Sequence, residues 1–532
     1  MPMKPATTVV ALLSSAVLLS GSLAACGQAA REGSLGGGGE KENDRSRVWA
    51  QSLDWKDCPA PSPSQGGGDP PEPLPDGTRW QCATMRAPLD WDKPDGDTIG
   101  IALIRARSSA DAKQRIGSLL FNFGGPGASG VTTLPAAAAD YEKLRGRYDL
   151  VSFDPRGVGN SSGVTCLDAE AMEEMSEQDD TPDDGADEVE AFLKLRQGYA
   201  AACERNSGRV LPHVTTADTA RDMDLMRRLL GDDKLHYFGI SYGTELGGVY
   251  AHLFPRNVGR AVLDGVVDPT VNRMEGALAQ AKGFQLAFDH FAAWCVQQGC
   301  SLGDSPNDVE VRVIELEAEL DDQPLPVDGD RVLTGSLLVD GVSMALYSET
   351  AWPALEVGLE AAGDRDGTTM LKLADLLSGQ RGKAYGGLQD ANTAITCADR
   401  SDRYTLAQVA DRVAEFEAAS PLFGASTLWG TLQCTGWPVP GKAAYPEVSA
   451  PGAPPILLVG NTGDPATPYE GAARMAQALG HGVGVELTYQ GEGHGAYDSK
   501  NTCVQNAVDT YLLDGKLPAP ATVCEHEPLT GK

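Results

Sequence analysis

A serine flanked by glycines constrains the fold of this chain more than any other feature of its sequence. The motif Gly239-Ile240-Ser241-Tyr242-Gly243 follows Leu235–Phe238, an apolar run typical of a buried strand. After the motif, apolar residues recur at the spacing of one helix face until Pro255, which indicates a helix and its end. Side chains beside the serine would clash in so tight a strand-to-helix turn, so glycine suits both flanking positions.

A turn of this kind presents Ser241 as the nucleophile of an α/β-hydrolase. The alternative is a glycine-rich turn with a bystander serine, because G-x-S-x-G alone is a common pattern. The strand before the motif and the helix after it favour the nucleophile.

Two later residues complete a catalytic triad in the chain order Ser, Asp, His of α/β-hydrolases. Asp464 follows the buried run Pro455–Gly460, and His494 lies in a glycine loop after the run Val485–Tyr489. Because catalytic groups gather at the carboxyl ends of parallel strands, we expect these side chains to meet. His494 would take the serine proton, and Asp464 would orient the imidazole. Asp264 also ends a predicted strand and is the alternative acid.

The segment Gly124–Gly130 follows an early predicted strand, Ser118–Phe123. Its glycines expose backbone N–H groups where α/β-hydrolases have one oxyanion donor. It lacks the G-K-[ST] ending of a phosphate-binding loop. Asp154 and Arg156 follow the predicted strand Tyr148–Phe153, and we expect them to support the site as structural residues.

The chain is predicted to have an α/β-hydrolase fold with an inserted, mainly helical lid domain. Its 532 residues exceed one ordinary domain, and 42% are hydrophobic, which is ample for a core. Residues 49–268 and 451–532 contain the core strands. Residues 269–450 are dominated by helical patterns and are expected to close over the site. The helices predicted there are Glu275–Gln298, Asp308–Leu320, Gly335–Tyr347 and Leu406–Ala419.

The N-terminus carries an export signal. Lys4 precedes the apolar run Val9–Leu23, which is too short to span a bilayer comfortably. Leu23-Ala24-Ala25-Cys26 resembles the lipobox of bacterial lipoproteins, so 1–25 is predicted to be a lipoprotein signal peptide and Cys26 the lipidated residue. Residues 26–48 read as a flexible tether. The alternative is an ordinary signal peptide, so the protein is expected to be either a cell-surface lipoprotein or secreted.

The number of cysteines in the chain also indicates an exported protein. Of the 11 cysteines, removal of Cys26 leaves an even set, which implies disulfides in an exported protein. Metal binding is the rival interpretation, but no C-x-x-C pair has a matching second pair, and we expect no metal or organic cofactor. Pairing each cysteine with its neighbour in the chain predicts Cys58–Cys82, Cys166–Cys203, Cys295–Cys300, Cys397–Cys434 and Cys503–Cys524.

The charge of the chain argues against nucleic acid as a partner. There are 74 acidic and 43 basic residues, a net charge of -31, whereas phosphate binding needs clusters of Lys and Arg. Membrane contact is expected only through a lipid on Cys26. The sequence leaves the oligomeric state open.

Between about residues 50 and 530 the chain resembles the secreted tripeptidyl aminopeptidases and prolyl-aminopeptidase-like α/β-hydrolases of actinobacteria. The resemblance rests on Asn122–Gly130, Asp154–Gly159, Gly239–Gly243, Ala394–Asp399, Cys434–Pro438, Gly463–Pro468 and Gly493–Gly495. Phe123 stands where the family often has proline, which should not affect the backbone donors. The resemblance implies a serine exopeptidase acting on peptides, with oxyanion N–H groups from Gly125 and Tyr242.

Three functions are compatible with these residues: a serine exopeptidase acting on free N-termini, an esterase or lipase with the same triad, and a catalytically silent binding lipoprotein. The intact triad argues against the third, and the resemblance favours the first. An exopeptidase must pair the substrate ammonium with a carboxylate or carbonyl. Glu245, in the helix after the serine, is a candidate, but we expect it to be a solvated residue or a partner of the helix dipole.

Overall fold

The computed structural model describes residues 48–527 apart from 179–180, 183–184, 328, 330 and 382–383. The predicted signal peptide, Cys26 and all of the predicted tether except its last residue lie outside the described residues.

A ten-stranded mixed sheet forms the centre of the molecule, in the order β1-β2-β3-β5-β4-β6-β7-β12-β13-β14. The first four strands of this order pair antiparallel, and every later pair is parallel. The sheet strands are β1 Lys56–Asp57, β2 Gln81–Pro88, β3 Thr98–Ala106, β4 Gly117–Asn122, β5 Tyr148–Phe153, β6 Leu235–Ile240, β7 Val258–Asp264, β12 Ile456–Gly463, β13 Gly484–Glu492 and β14 Thr522–Glu525.

Helices cover both faces of this sheet, as the predicted α/β-hydrolase fold requires. Buried residues of α5, α6 and α16 pack on one face, and those of α1, α2 and α17 pack on the other. The helices outside the insertion are α1 Gly130–Ala137, α2 Glu142–Arg145, α3 Ala169–Ser176, α4 Ala186–Ser207, α5 Thr216–Leu229, α6 Tyr242–Leu253, α16 Glu470–Leu479 and α17 Thr502–Asp514.

Between β7 and β12 the chain is mainly helical and has an apolar core of its own, which includes Phe288, Leu316, Leu338 and Leu355. Its described residues include two short antiparallel strand pairs, β8 Leu325–Pro326 with β9 Val332–Leu333 and β10 Gln380–Arg381 with β11 Ala384–Tyr385. Its helices are α7 Arg273–Gln298, α8 Pro306–Asp322, α9 Gly335–Leu346, α10 Trp352–Gly363, α11 Thr368–Ser378, α12 Leu388–Asp399, α13 Leu406–Ala410, α14 Val413–Ala419 and α15 Gly424–Gly430.

One helix prediction in this region was too long. The pattern Leu406–Ala419 predicted one helix, but the chain forms α13 and α14 with a turn at residues 411–412. Val409, Val413 and Phe416 keep helical spacing across the turn, so apolar periodicity does not reveal the break.

Five disulfides join the cysteines in the predicted pairs, Cys58–Cys82, Cys166–Cys203, Cys295–Cys300, Cys397–Cys434 and Cys503–Cys524. They fit a protein that folds in an oxidising compartment. Within the described part of the chain, every helix is too short or too polar to cross a bilayer.

Candidate active site

Ser241 occupies a strained turn between β6 and α6. Its backbone has φ 59° and ψ -128°, a conformation that non-glycine residues rarely adopt. The flanking glycines permit the turn, because a Cβ on Gly239 would lie 2.4 Å from the Gly243 oxygen. The Ser241 amide donates to the carbonyl oxygen of Asp264 at 3.0 Å, which ties the turn to the end of β7.

Asp464 and His494 form a close pair at the carboxyl ends of β12 and β13. The Nδ1 atom of His494 lies 2.9 and 3.1 Å from the two carboxylate oxygens of Asp464. Asp464 also accepts hydrogen bonds from the Thr467 backbone N–H and hydroxyl, each at 2.9 Å. Its position is therefore fixed by groups other than the histidine.

The other ring nitrogen of His494, Nε2, is buried and has no hydrogen-bond partner among the described residues. The ring lies beside Gly265, where an added Cβ would be 3.2 Å from His494 Cε1. Gly265 directly follows Asp264, whose carbonyl oxygen accepts the Ser241 N–H. The serine and the imidazole therefore flank the same strand end, without a hydrogen bond between them. Such bonds are often long until substrate binds.

Charge around His494 favours its protonated form. Burial alone would lower its pKa, but the carboxylates of Asp464 and Asp264 outweigh burial and raise the pKa above its ordinary value. A histidine tuned in this way accepts a proton more readily from a serine hydroxyl.

Asp264, the alternative acid, forms no hydrogen bond or ion pair with the imidazole. Its carboxylate accepts the backbone N–H groups of Ala496 and Tyr497, both at 2.9 Å. Burial raises the pKa of Asp264 to about 7. Through its backbone and side chain, Asp264 joins the turn of Ser241 to the loop that follows His494.

The helical insertion also contacts the histidine. The Tyr347 carbonyl accepts the His494 backbone N–H at 2.8 Å, and the two rings meet edge to face with centroids 4.9 Å apart. The orientation of His494 therefore depends on the insertion as well as on the core.

The predicted oxyanion loop lies directly against the nucleophile. A Cβ on Gly124, at φ 87°, would approach the Ser241 Cβ to 2.8 Å, so only glycine fits there. Gly125 and Tyr242 line the same cavity as Ser241. Tyr242 is the first residue of α6, so its N–H has no acceptor within the helix.

Asp154 and Arg156 are buried supports, as expected. Asp154 accepts the Ser129 hydroxyl at 2.6 Å and the Val131 N–H at 3.2 Å, which holds the end of the oxyanion loop. Arg156 forms a fully buried ion pair with Asp222 at 2.7 Å.

A cavity of about 1040 Å³ opens in front of Ser241, and both the core and the insertion line it. Glu245 lies on its wall. The expectation that Glu245 is solvated was wrong, because its side chain is 7% exposed and pairs with Arg400 at 2.6 Å. Arg400 follows α12, a contact far away in sequence that the pattern of α6 does not reveal.

Comparisons with known proteins agree with this architecture. A family model described as "TAP-like protein" matches residues 420–524. Serine protease Hip1 of Mycobacterium tuberculosis is 34% identical over 498 residues, 89% of this chain and 91% of Hip1. Tripeptidyl aminopeptidase of Streptomyces lividans is 33% identical over 492 residues, 90% of this chain and 88% of that protein. This chain belongs to the TAP-like family of serine peptidases.

Membership of the TAP-like family establishes the protein as a serine peptidase with an α/β-hydrolase fold. The chain is also similar to a relative with a different kind of name. Carboxylesterase B of Mycobacterium tuberculosis is 34% identical over 454 residues, 84% of this chain and 86% of that protein.

Sequence analysis missed several residues of the site, namely Thr467, Tyr347 and Asp399. Thr467 stands three residues after Asp464, and this short spacing was a local signal for a side chain that holds the carboxylate. Tyr347 contacts His494 and Asp399 lines the cavity, but both come from the insertion, and no local pattern places them at the site.

Proposed function

We propose that this TAP-like protein is a serine exopeptidase that removes short peptides from free N-termini through a Ser241–His494–Asp464 triad. The observation that carries the proposal is the Asp464–His494 pair. Asp464 occupies one nitrogen of a buried imidazole, and the other, Nε2, has no partner among the described residues, while the ring lies beside Gly265, next to the residue that holds the strained serine turn.

In the first half-reaction, His494 Nε2 takes the proton of Ser241 as its oxygen attacks the scissile carbonyl. Asp464 holds the imidazole by its Nδ1–H and stabilises the imidazolium. The imidazolium then protonates the leaving amine, and the N-terminal fragment remains as an ester on Ser241. In the second half-reaction His494 activates water, which hydrolyses the ester.

The backbone N–H groups of Gly125 and Tyr242 are proposed to stabilise the oxyanion of both tetrahedral intermediates. Loss of one such donor typically costs on the order of a hundred- to a thousand-fold in kcat. Two features support the assignment: both residues line the cavity, and Gly124 brings the loop against Ser241.

Part of the helical insertion covers the active-site cavity, and this cover supports exopeptidase specificity. Helix α7 crosses the cavity, where Gln280 Nε2 donates to the Ala466 oxygen at 3.0 Å, close to the triad acid. A Cβ on Gly283 of this helix would lie 2.6 Å from the Pro465 oxygen, so helix and loop are in close contact. A chain end enters such a cavity more readily than the middle of a folded chain.

The proposal is tested with tripeptidyl and single-aminoacyl nitroanilides, each with a free and an acetylated N-terminus. We expect the free tripeptidyl substrate to have the highest kcat/KM. Equal cleavage of free and acetylated forms would overturn the requirement for an amine. Preference for the single-aminoacyl form would indicate removal of one residue at a time.

The second candidate is an esterase with the same triad, since Carboxylesterase B shares 34% identity with this chain. Both activities pass through an ester on Ser241, so labelling by a fluorophosphonate does not separate them. A short acyl nitrophenyl ester assayed beside the peptide substrates does. An esterase would hydrolyse the acyl ester and leave every peptidyl nitroanilide intact.

A further inference from the structure

One carboxylate on the wall of the cavity in front of Ser241 has neither the basic partner nor the exposure to water that each of the others has. The carboxylate residues lining the cavity are Glu245, Asp268, Glu275, Asp399, Asp464 and Glu470. Glu275 and Glu470 are exposed to water. Three of the other four have basic partners: Arg400 for Glu245, Arg474 for Asp268 and His494 for Asp464.

Asp399 is different, because no cation forms an ion pair with it among the described residues. Its carboxylate accepts the Thr216 N–H at 2.8 Å and the Thr216 hydroxyl at 2.6 Å. The Thr216 hydroxyl lies 2.5 Å from the Tyr242 hydroxyl. All of these contacts are with neutral groups.

Three features disfavour a charge at Asp399. The side chain is largely withdrawn from water, the acidic side chain of Glu245 is close, and Asp399 is the last residue of α12, where the helix dipole is negative. Burial first, and then Glu245, raise the pKa of this carboxyl to about 7, because they outweigh the hydrogen bonds of Thr216 and the more distant charge of Arg400, which lower it. A bound cation would relieve all three effects.

We infer that Asp399, with Glu245 beside it, binds the N-terminal ammonium group of the peptide substrate. This inference rests on the proposed exopeptidase function. Arg400 neutralises Glu245, so one negative charge of the pair remains for the ligand. The hydrogen-bonded link through Thr216 to Tyr242 connects the ammonium site to the residue after the nucleophile, so both ends of a short peptide are held by one wall.

The ammonium site is rigid before substrate arrives. The disulfide Cys397–Cys434 anchors the last turn of α12, two residues before Asp399. The backbone N–H groups of Lys442 and Ala443 donate to the Asp399 carbonyl. A preorganised carboxylate binds an ammonium group with little loss of side-chain entropy.

The test compares wild type with Asp399→Asn, which keeps the size of the side chain and removes its charge. The substrate is a tripeptidyl nitroanilide without basic side chains, with a free or acetylated N-terminus. We expect the variant to lose on the order of a hundred-fold in kcat/KM for the free form. Cleavage of the acetylated form and the rate of fluorophosphonate labelling should stay unchanged.

Asp390→Asn is the matched control, because Asp390 lies in the first turn of the same helix. It is buried, accepts the Tyr199 hydroxyl at 2.6 Å, and burial raises its pKa to about 6. It does not line the cavity. Removing its charge should therefore leave the ratio of free to acetylated cleavage as in wild type. Asp399→Ser repeats the test with a smaller side chain if Asp399→Asn folds poorly.

Different failures have different meanings. If wild type prefers the free form and Asp399→Asn keeps that preference, the ammonium site is elsewhere and the exopeptidase proposal stands. If Asp399→Asn loses cleavage of both forms equally, together with labelling, Asp399 acts on the triad and the inference is overturned. If wild type cleaves both forms equally, both the inference and the exopeptidase proposal are overturned.

Discussion

At the scale of residues, two aspartates at neighbouring strand ends have different partners. Asp464, after β12, contacts the imidazole of His494, whereas Asp264, at the end of β7, contacts backbone N–H groups. Chain order and loop context predict Asp464 as the triad acid, and the geometry supports that prediction.

We expect Asp464→Asn to lose roughly ten-thousand-fold in kcat, because an amide favours the wrong imidazole tautomer. Asp264→Asn should lose far less, since its single amide oxygen can still accept one of the Ala496 and Tyr497 N–H groups and the pair of His494 with Asp464 is left in place. Steady-state kinetics on one peptidyl nitroanilide decides the order. A larger loss for Asp264→Asn would move the triad acid to β7.

Asp264→Asn should also move the acid limb of the kcat/KM profile to lower pH. Asp264 has a pKa of about 7, and the fraction that is ionised helps to hold the His494 pKa up; the amide removes that charge while Asp464 and Asp498 remain, so the shift should be small. A lower pKa keeps the imidazole neutral, and so able to act as a base, at lower pH. An acid limb that stays in place or moves to higher pH would contradict this electrostatic role.

The site residues that the sequence predicts, and that the fold brings to the carboxyl edge of the sheet, are those with a local signal. Ser241 lies between glycines that the turn requires, and His494 lies in a glycine loop after a strand. The pairing of His494 with Asp464 follows from both residues standing at parallel strand ends. Asp399 has no such signal, since its role depends on Thr216 and Glu245, which come from distant elements.

At the scale of elements, the core was easier to predict than the insertion. Buried strands such as β12 are short apolar runs that the sequence reveals. In α12 the spacing of apolar residues is not clearly helical, because the buried face also contains the polar residues Asp390 and Thr393. Helix α12 packs against the predicted oxyanion loop, where Asn392 Nδ2 donates to the Pro126 oxygen at 3.2 Å. Helix α12 thus links the loop to the proposed ammonium site.

Removal of the disulfide that anchors α12 should destabilise the protein more than removal of a short-range one. Loop-closure entropy gives roughly 4 kcal/mol for Cys397–Cys434, whose sequence separation is 37, against roughly 2 kcal/mol for Cys295–Cys300, whose separation is 5. Serine pairs at each position, compared by chemical denaturation, measure the difference. An equal or reversed order would show that chain entropy does not set these contributions.

At the scale of the whole molecule, we propose that a lipid on Cys26 attaches the enzyme to the membrane surface. A strongly acidic chain has no electrostatic affinity for anionic lipids, and one acyl chain alone binds weakly, whereas several chains anchor stably. Residues 27–47 would then leave the catalytic domain free to reach peptides.

Wild-type protein expressed in its bacterial setting should therefore partition with membranes or detergent, and Cys26→Ser should be released or remain unprocessed. Phase separation in detergent followed by mass spectrometry of the mature N-terminus measures both. Equal recovery of the two proteins from the medium would show that residues 1–25 form an ordinary signal peptide.

The central claim is that Ser241 attacks peptide bonds near a free N-terminus. It is tested most directly by mass spectrometry of the products that wild type and Ser241→Ala release from an unmodified decapeptide. We expect wild type to release the N-terminal tripeptide first, and Ser241→Ala to lose on the order of a million-fold in kcat with an unchanged melting temperature. Internal cleavage by wild type, or turnover by purified Ser241→Ala, would contradict the account.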